Sequence, residues 1–214
     1  RKSLKFPLRW FSMPNLFRYE RPQRGRRREH WQLNCDVLGI SGVEAEIEII
    51  SLAHAIMKEF GAKDEDFEIK INDRGEIFNS LRKAGLDEKN FGSYISLLDK
   101  KQKMSEEEFK KMEMELVDKN IEINPESDLS KEIISKLEEK NIKNVSYDPS
   151  IVRGFGYYTG MVFEVFDTNP ENKRSLFGGG RYDNLLEIFG VEPIPAVGFG
   201  MGDITIRDFL ETHN

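Results

Sequence analysis

Six arginines (Arg18, Arg21, Arg24, Arg26, Arg27 and Arg28) fall within eleven residues of the segment FRYERPQRGRRREHWQLNCDVLG, residues 17–39. A guanidinium is a permanent cation with a planar fork of donors that suits phosphate oxygens. Immediately afterwards the pattern alternates. His30, Gln32, Asn34 and Asp36 share one face of a strand, and Trp31, Leu33, Cys35 and Val37 share the other. Cations beside a row of polar side chains predict a polyphosphate held next to a small polar pocket. A solvated basic face is the plainer alternative, and the regular placement of these charges on two strands weighs against it.

The absences narrow the chemistry. No GxxxxGK[ST] is present, and no GxGxxG opens a helix after a strand. The three histidines are scattered and Cys35 is the single cysteine, so neither a metal cluster nor an internal disulfide is expected, and a reducing setting is favoured. His54 reads as a packing or surface residue. Arginines, carboxylates and tyrosines remain. These groups serve reactions in which charge must be stabilised without a covalent nucleophile from the protein, as in phosphoryl and adenylyl transfer.

The elements that must position these groups are legible in outline. The chain has 214 residues, 38% hydrophobic and 33% charged, enough for one core with a small appended lobe. Its net charge of −6 is uneven: residues 1–30 carry ten Lys/Arg against two acids, so attraction for phosphate is local. Residues 6–13 and 16–20 read as short strands, and the alternation from Glu29 completes a hairpin of two long strands around the arginine loop. Ser41-Gly42-Val43-Glu44 matches a capping box that starts a helix ending at Gly61. FEIKIN (67–72) is a strand. Residues 75–144 are rich in Lys and Glu with helical periodicity and a second capping box at Ser105–Glu108, and are read as an insertion peripheral to the chemistry. Strand character returns at Ser146 and fills VRGFGYYTGMVFEVFD (152–167). SLFGGGRYDNLLEIFG (175–190) reads as strand, glycine turn and short helix, and AVGFGMGDITIRDFL (196–210) as strand into helix. The class is α+β: a mainly antiparallel sheet flanked by helices, with a small helical insertion. The divisions are residues 1–72, 73–145 and 146–214. No apolar run reaches bilayer length.

FRYERPQRGRRREHWQ resembles motif 2 of the class II aminoacyl-tRNA synthetases, in the histidyl form. VRGFGYYTGMVFE resembles the histidine-specific signature of the histidyl-tRNA synthetase family, usually RGLDYYTGTVFE. GGGRYDNLLEIFG and IPAVGFGMG resemble the approach to motif 3. The matches cover roughly residues 6–60 and 146–210, in the family's order. The resemblance implies a class II catalytic core, ATP and Mg²⁺ as cofactors, L-histidine and tRNA(His) as substrates, a cytoplasmic homodimer and no membrane partner. It implies that Arg18 and Arg153 are catalytic. Arg18, Glu20 and Arg26 would hold ATP, with Glu20 at the adenine amino group and Arg26 at the terminal phosphates. Gln32, Asp36, Arg153, Tyr157 and Tyr158 would bind histidine, Gln32 at its α-amino end and Asp36 and Tyr158 at its imidazole.

Three departures accompany the match. RGFG replaces RGLD, so Gly156 stands where an acid usually follows the arginine. Asp36 stands where the family has Glu. Motif 3 normally ends GLER, whereas this chain has Gly202-Asp203-Ile204-Thr205, and Arg207 replaces that arginine only if the helix begins differently. The chain starts at Arg1 and is read as a piece of a longer protein lacking motif 1 and the anticodon-binding domain, with impaired activity by itself. The competing reading is a non-catalytic, histidyl-synthetase-like regulatory or tRNA-sensing domain. Retention of Arg18, Arg153, Tyr157 and Tyr158 favours the enzyme.

Overall fold

The alternation after the arginine loop becomes strand β3 (Glu29–Leu38), the strand from which the rest of the sheet can be read. The computed structural model describes residues 4–19, 21–101, 104–118, 121, 127–153, 156–172 and 174–213. β3 pairs antiparallel on one side with β1 (Leu8–Ser12) and, further along, with β2 (Asn15–Phe17). On its other side the order continues through β8 (Ala196–Gly202), β7 (Ser175–Arg181), β6 (Met161–Asp167), β4 (Phe67–Asp73) and β5 (Val145–Tyr147). Among the described residues only β4 and β5 pair in parallel. The sheet is therefore mainly antiparallel, as expected, and can keep one face polar.

The pleat sorts the side chains. Cys35 and Val37 of β3, Phe199 and Met201 of β8, Phe163 and Val165 of β6 and Ile69 and Ile71 of β4 all point into the main core. Helix α1 (Glu44–Glu59) packs Ile49, Ile50, Ala53 and Met57 against them, and α5 (Asp128–Glu139) and α6 (Asp203–His213) add Ile133, Leu137 and Phe209. Their neighbours along each strand, including Gln32, Asp36, Glu164, Gly178 and Gly200, turn to the opposite face.

A second core lies in the insertion, where Ile77 and Leu81 of α2 (Arg74–Lys83) meet α3 (Phe91–Lys100) and Phe109 of α4 (Glu106–Val117). The second capping box is complete: Ser105 Oγ accepts from the Glu108 N–H, and the Glu108 carboxylate accepts from the Ser105 N–H. α5 sits in the 73–145 segment, yet its apolar stripe packs into the main core.

Several local expectations are corrected. α1 begins at Glu44 with Val43 as N-cap and no side-chain cap, so Ser41 does not close a capping box. β2 has three residues, so the hairpin has one short arm. Strand β6 starts at Met161, which leaves the described residues 152–153 and 156–160 outside it. Gly178, Gly179 and Gly180 lie within β7 and not in a turn.

Candidate active site

The polar face of the sheet carries a cleft of about 1120 Å³. Four predicted residues line it: Arg18, Arg26, Gln32 and Arg153. Arg18 follows β2, and its backbone N–H donates to Arg28 O at 2.7 Å while its Nε donates to Arg27 O at 2.9 Å. The base of the arginine loop is thus closed by backbone groups, and the Arg18 guanidinium is anchored through Nε to a backbone carbonyl. At the tip, Gln23 and Arg26 exchange two backbone hydrogen bonds of 2.9 Å. Gly25 at φ +71° supplies the left-handed residue this turn needs. Gln32 Nε2 donates to Asn34 Oδ1 at 2.6 Å, and Asn34 Nδ2 donates to Ser12 Oγ at 3.2 Å, which fixes the amide row of β3 against β1.

Arg153 enters the cleft from the segment before β6. Its φ of +49° is rare for a side chain other than glycine, a conformation that costs about 1–3 kcal/mol and recurs at functional sites. Nη1 donates to Glu164 Oε1 at 2.8 Å, Nη2 lies 3.4 Å from Gly178 O, and the guanidinium stands 5.9 Å from the centre of the Tyr158 ring. Burial opposes its charge, but Tyr158 and Glu164 outweigh burial and leave its pKa raised. Burial pushes the Glu164 carboxyl up, against the pull of Arg153. From α2, Arg74 Nη1 donates to the Arg153 carbonyl at 3.1 Å. Arg74 is 1% exposed, and burial draws its pKa down to about 10, so it stays cationic at neutral pH.

The run of glycines makes room for these groups. A Cβ on Gly178 would sit 2.8 Å from Arg153 Nη1 and 2.3 Å from Phe163 O; one on Gly200 would sit 2.6 Å from Gln32 Nε2. Side chains at these strand positions would fill the floor on which the arginine and the amide lie.

Asp36, Tyr157 and Tyr158 form a neighbouring cluster, outside the lining of the main cleft. The Tyr182 hydroxyl donates to Asp36 Oδ1 in a very short hydrogen bond. The Tyr157 ring lies 4.6 Å from Tyr158 and 6.1 Å from Tyr182. Burial raises the Asp36 pKa, and the Tyr182 hydrogen bond only partly offsets it. Tyr157 and Tyr182 are both pushed up, chiefly by burial. Tyr158 is 4% exposed and packs with Ile151 and Val162. Asp36 and Tyr182 also border an apolar hollow of about 300 Å³ with Trp10, Leu186 and Ile194.

Glu20 lies outside the described residues. Arg207 does not reach the cleft: α6 starts at Asp203, and Arg207 pairs with Asp208 and Glu211 beside a separate hollow with Arg27 and Trp31. Glu164, Tyr182 and Arg174 have no assigned role in the motif reading, yet each contacts or joins the residues above. Glu164 pairs with Arg153 at 2.8 Å. Leu98 and Asp99 of α3 also line the cleft, so the insertion is less peripheral than expected. Among the described residues, no group of three or more His, Cys, Asp or Glu converges as a metal cage. Among the described residues no helix is long and apolar enough to cross a membrane.

The arrangement gathers Arg18, Arg26, Arg153 and the Gln32 amide in one cleft, with an acid–phenol cluster beside it. It suits a polyphosphate and a small zwitterion with a polar side chain. The Histidyl-tRNA synthetase family model matches residues 1–116 and 103–203. A histidine--tRNA ligase of Leptospira biflexa is 40% identical, the match covering all of this chain and 54% of that protein. One of Thermoplasma volcanium is 38% identical over 99% of this chain and 55% of its own length. This chain thus spans about half the length of these curated relatives. A solved histidyl-tRNA synthetase from Nostoc shares the fold with a TM-score of 0.77 at 24% identity, covering 99% of this chain and 56% of that one. The chain belongs to the histidyl-tRNA synthetase family.

Proposed function

We propose that the protein carrying this chain activates L-histidine with ATP and transfers the histidyl group to tRNA(His). What carries this reading is the convergence of Arg18, Arg26, Gln32 and Arg153 in one cleft beside the Asp36–Tyr182 pair. Gln32 would take the α-amino end of histidine. Asp36 and Tyr158, with Tyr157 and Tyr182 around them, would take the imidazole. A carboxylate oxygen of histidine attacks the α-phosphorus, and the bond to the pyrophosphate oxygen breaks with its electron pair leaving on pyrophosphate. Arg18 and Arg153 offset the charge that grows on the α-phosphate, and Arg26 meets the departing pyrophosphate. Glu20 is assigned to the adenine amino group. In the second step a terminal ribose hydroxyl of the tRNA attacks the histidyl carbonyl and AMP leaves. Mg²⁺ would arrive on the triphosphate, where it neutralises charge. The homodimeric state, the cytoplasmic location and the three-part division at residues 72 and 145 belong to the same reading, with α5 counted with the sheet.

The test is histidine-dependent ATP–pyrophosphate exchange by the protein as encoded. Exchange that requires histidine is the expected result. Exchange indifferent to histidine, or none, would overturn the proposal in favour of a regulatory domain.

A narrower prediction concerns Tyr182. Tyr182→Phe removes the donor to a partly buried carboxylate, and leaving such a group unsatisfied costs about 1–3 kcal/mol. The KM for histidine should rise about tenfold while the KM for ATP changes less than twofold. Equal changes in both would show that Tyr182 acts on the fold and not on the histidine pocket.

A further inference from the structure

We propose that Arg174 is a further phosphate-binding residue of this cleft, latched to the arginine loop through Gln23 so that loop and sheet close together on the terminal phosphates of the nucleotide. The inference rests on the reading that the cleft takes ATP.

Arg174 directly precedes β7 and lines the cleft together with Gly25, Arg26 and Thr205, and it shares an adjoining hollow with Gly25 and Thr205. Its Nη2 donates to Gln23 Oε1 at 3.1 Å, a contact that spans 151 residues of sequence. Gln23 is half of the turn that carries Arg26, because the two residues exchange both backbone hydrogen bonds. The loop tip is therefore tied to the sheet through one arginine side chain.

The nature of that tie points to an anion. Arg153 is neutralised by Glu164, Arg181 by Glu46 and Arg9 by Glu48. Arg174 is different: its partner is a neutral amide, and among the described residues no carboxylate forms an ion pair with it. Glu171 and Asp208 border the adjoining hollow, but Asp208 is paired with Arg207. A guanidinium has five N–H donors, and one donated bond leaves most of them for a ligand. Placing it in the same cleft as Arg26 brings two like charges to one place, an arrangement that an arriving polyanion relieves. Arg18 and Arg153, assigned to the α-phosphate, are less exposed than Arg26 and Arg174. The terminal phosphates then fall between Arg26 and Arg174.

Two nucleotides separate this role from a structural one. ATP and AMP affinities should be measured by titration calorimetry with Mg²⁺ for the wild-type chain, Arg174→Ala, Arg174→Lys and Gln23→Ala. Arg174→Ala is expected to weaken ATP about tenfold, as loss of a charge-assisted bond does, and to leave AMP within twofold. Arg174→Lys should recover part of the loss. Gln23→Ala should weaken ATP about twofold to threefold, again sparing AMP. Unchanged ATP affinity in Arg174→Ala, or equal losses for ATP and AMP, would overturn the assignment. A short single-stranded RNA supplies the remaining arm: loss of RNA affinity with ATP unaffected would move Arg174 to nucleic acid and also overturn it. If the wild-type chain binds neither nucleotide, the reading of the cleft as an ATP site fails first, and this inference fails with it.

Discussion

Arg153→Ala should lower histidine-dependent pyrophosphate exchange about 10²–10³-fold, the size of effect seen when one preorganised donor to a developing charge is removed. The structure holds this side chain unusually firmly. Its backbone sits at φ +49°, its carbonyl is gripped by Arg74, and its fork is braced by Glu164 and Gly178 O. A floor of glycine lets the guanidinium lie flat on β7. Such positioning is wasted on a uniform binding contact, and is useful where charge appears only as the reaction proceeds. The loss should therefore fall mainly on kcat, with the KM for ATP changing a few-fold at most. Arg153→Lys keeps the charge but loses the fork, and should fall between alanine and wild type. Glu164→Gln keeps the hydrogen-bonding shape without the countercharge, and is expected to reduce exchange about tenfold through orientation of Arg153. A decrease below tenfold in Arg153→Ala, with the thermal midpoint intact, would remove Arg153 from the catalytic set.

What could be read from the sequence divides along a physical line. The period-2 pattern of residues 29–38 was decisive because one face of β3 is packed against helices and the other is polar. The capping box at Ser105 was legible because every group in it is local. The motif resemblance placed Arg18, Gln32 and Arg153, and the structure brings these three into one cleft. The failures share another cause. Three consecutive glycines read locally as a turn, but β7 uses them because Arg153 and the Phe163 carbonyl of β6 approach too closely for a Cβ at Gly178. Glu164 was visible as one residue of an alternating strand, yet its partnership with Arg153 depends on a loop folding back over the sheet. Tyr182 meets Asp36 across 146 residues of sequence. Cross-strand registry of that kind leaves no periodic trace in one chain. The apparent start of α1 at Ser41 failed for a related reason: Arg181 takes the carbonyls of Ile40 and Gly42, so that stretch serves a tertiary bond before the helix begins.

That same arginine carries the largest expected effect on stability. Arg181→Met should reduce the free energy of unfolding by about 3–5 kcal/mol, the cost of leaving one member of a buried ion pair without its partner. Arg181 Nε and Nη2 each donate to a Glu46 carboxylate oxygen at 2.5 Å, and both side chains are almost wholly buried. Its remaining donors reach Ile40 O, Gly42 O and Asp183 Oδ1 at 3.1–3.2 Å. One guanidinium thereby joins the first turn of α1 to the end of β7. Its backbone carbonyl accepts from the Thr159 N–H at 2.8 Å, which ties in the segment carrying the two tyrosines. Asp183 then accepts from the Ala196 N–H at the start of β8. Removal of the cation strands the Glu46 carboxylate, whose side chain is 2% exposed, between helix and sheet. Loss of the pair as a whole is a different matter. The double variant Arg181→Met, Glu46→Leu exchanges two buried charges for apolar volume, and such exchanges are often neutral or stabilising. It should recover most of the loss, giving a coupling energy of a few kcal/mol in a double-mutant cycle read by urea unfolding. Additive single-site effects would mean that the two side chains stabilise the protein independently. Recovery of stability need not restore function, because Tyr182 follows Arg181 directly and its hydroxyl must still find Asp36. The double variant is expected to unfold near the wild-type midpoint while its KM for histidine stays raised.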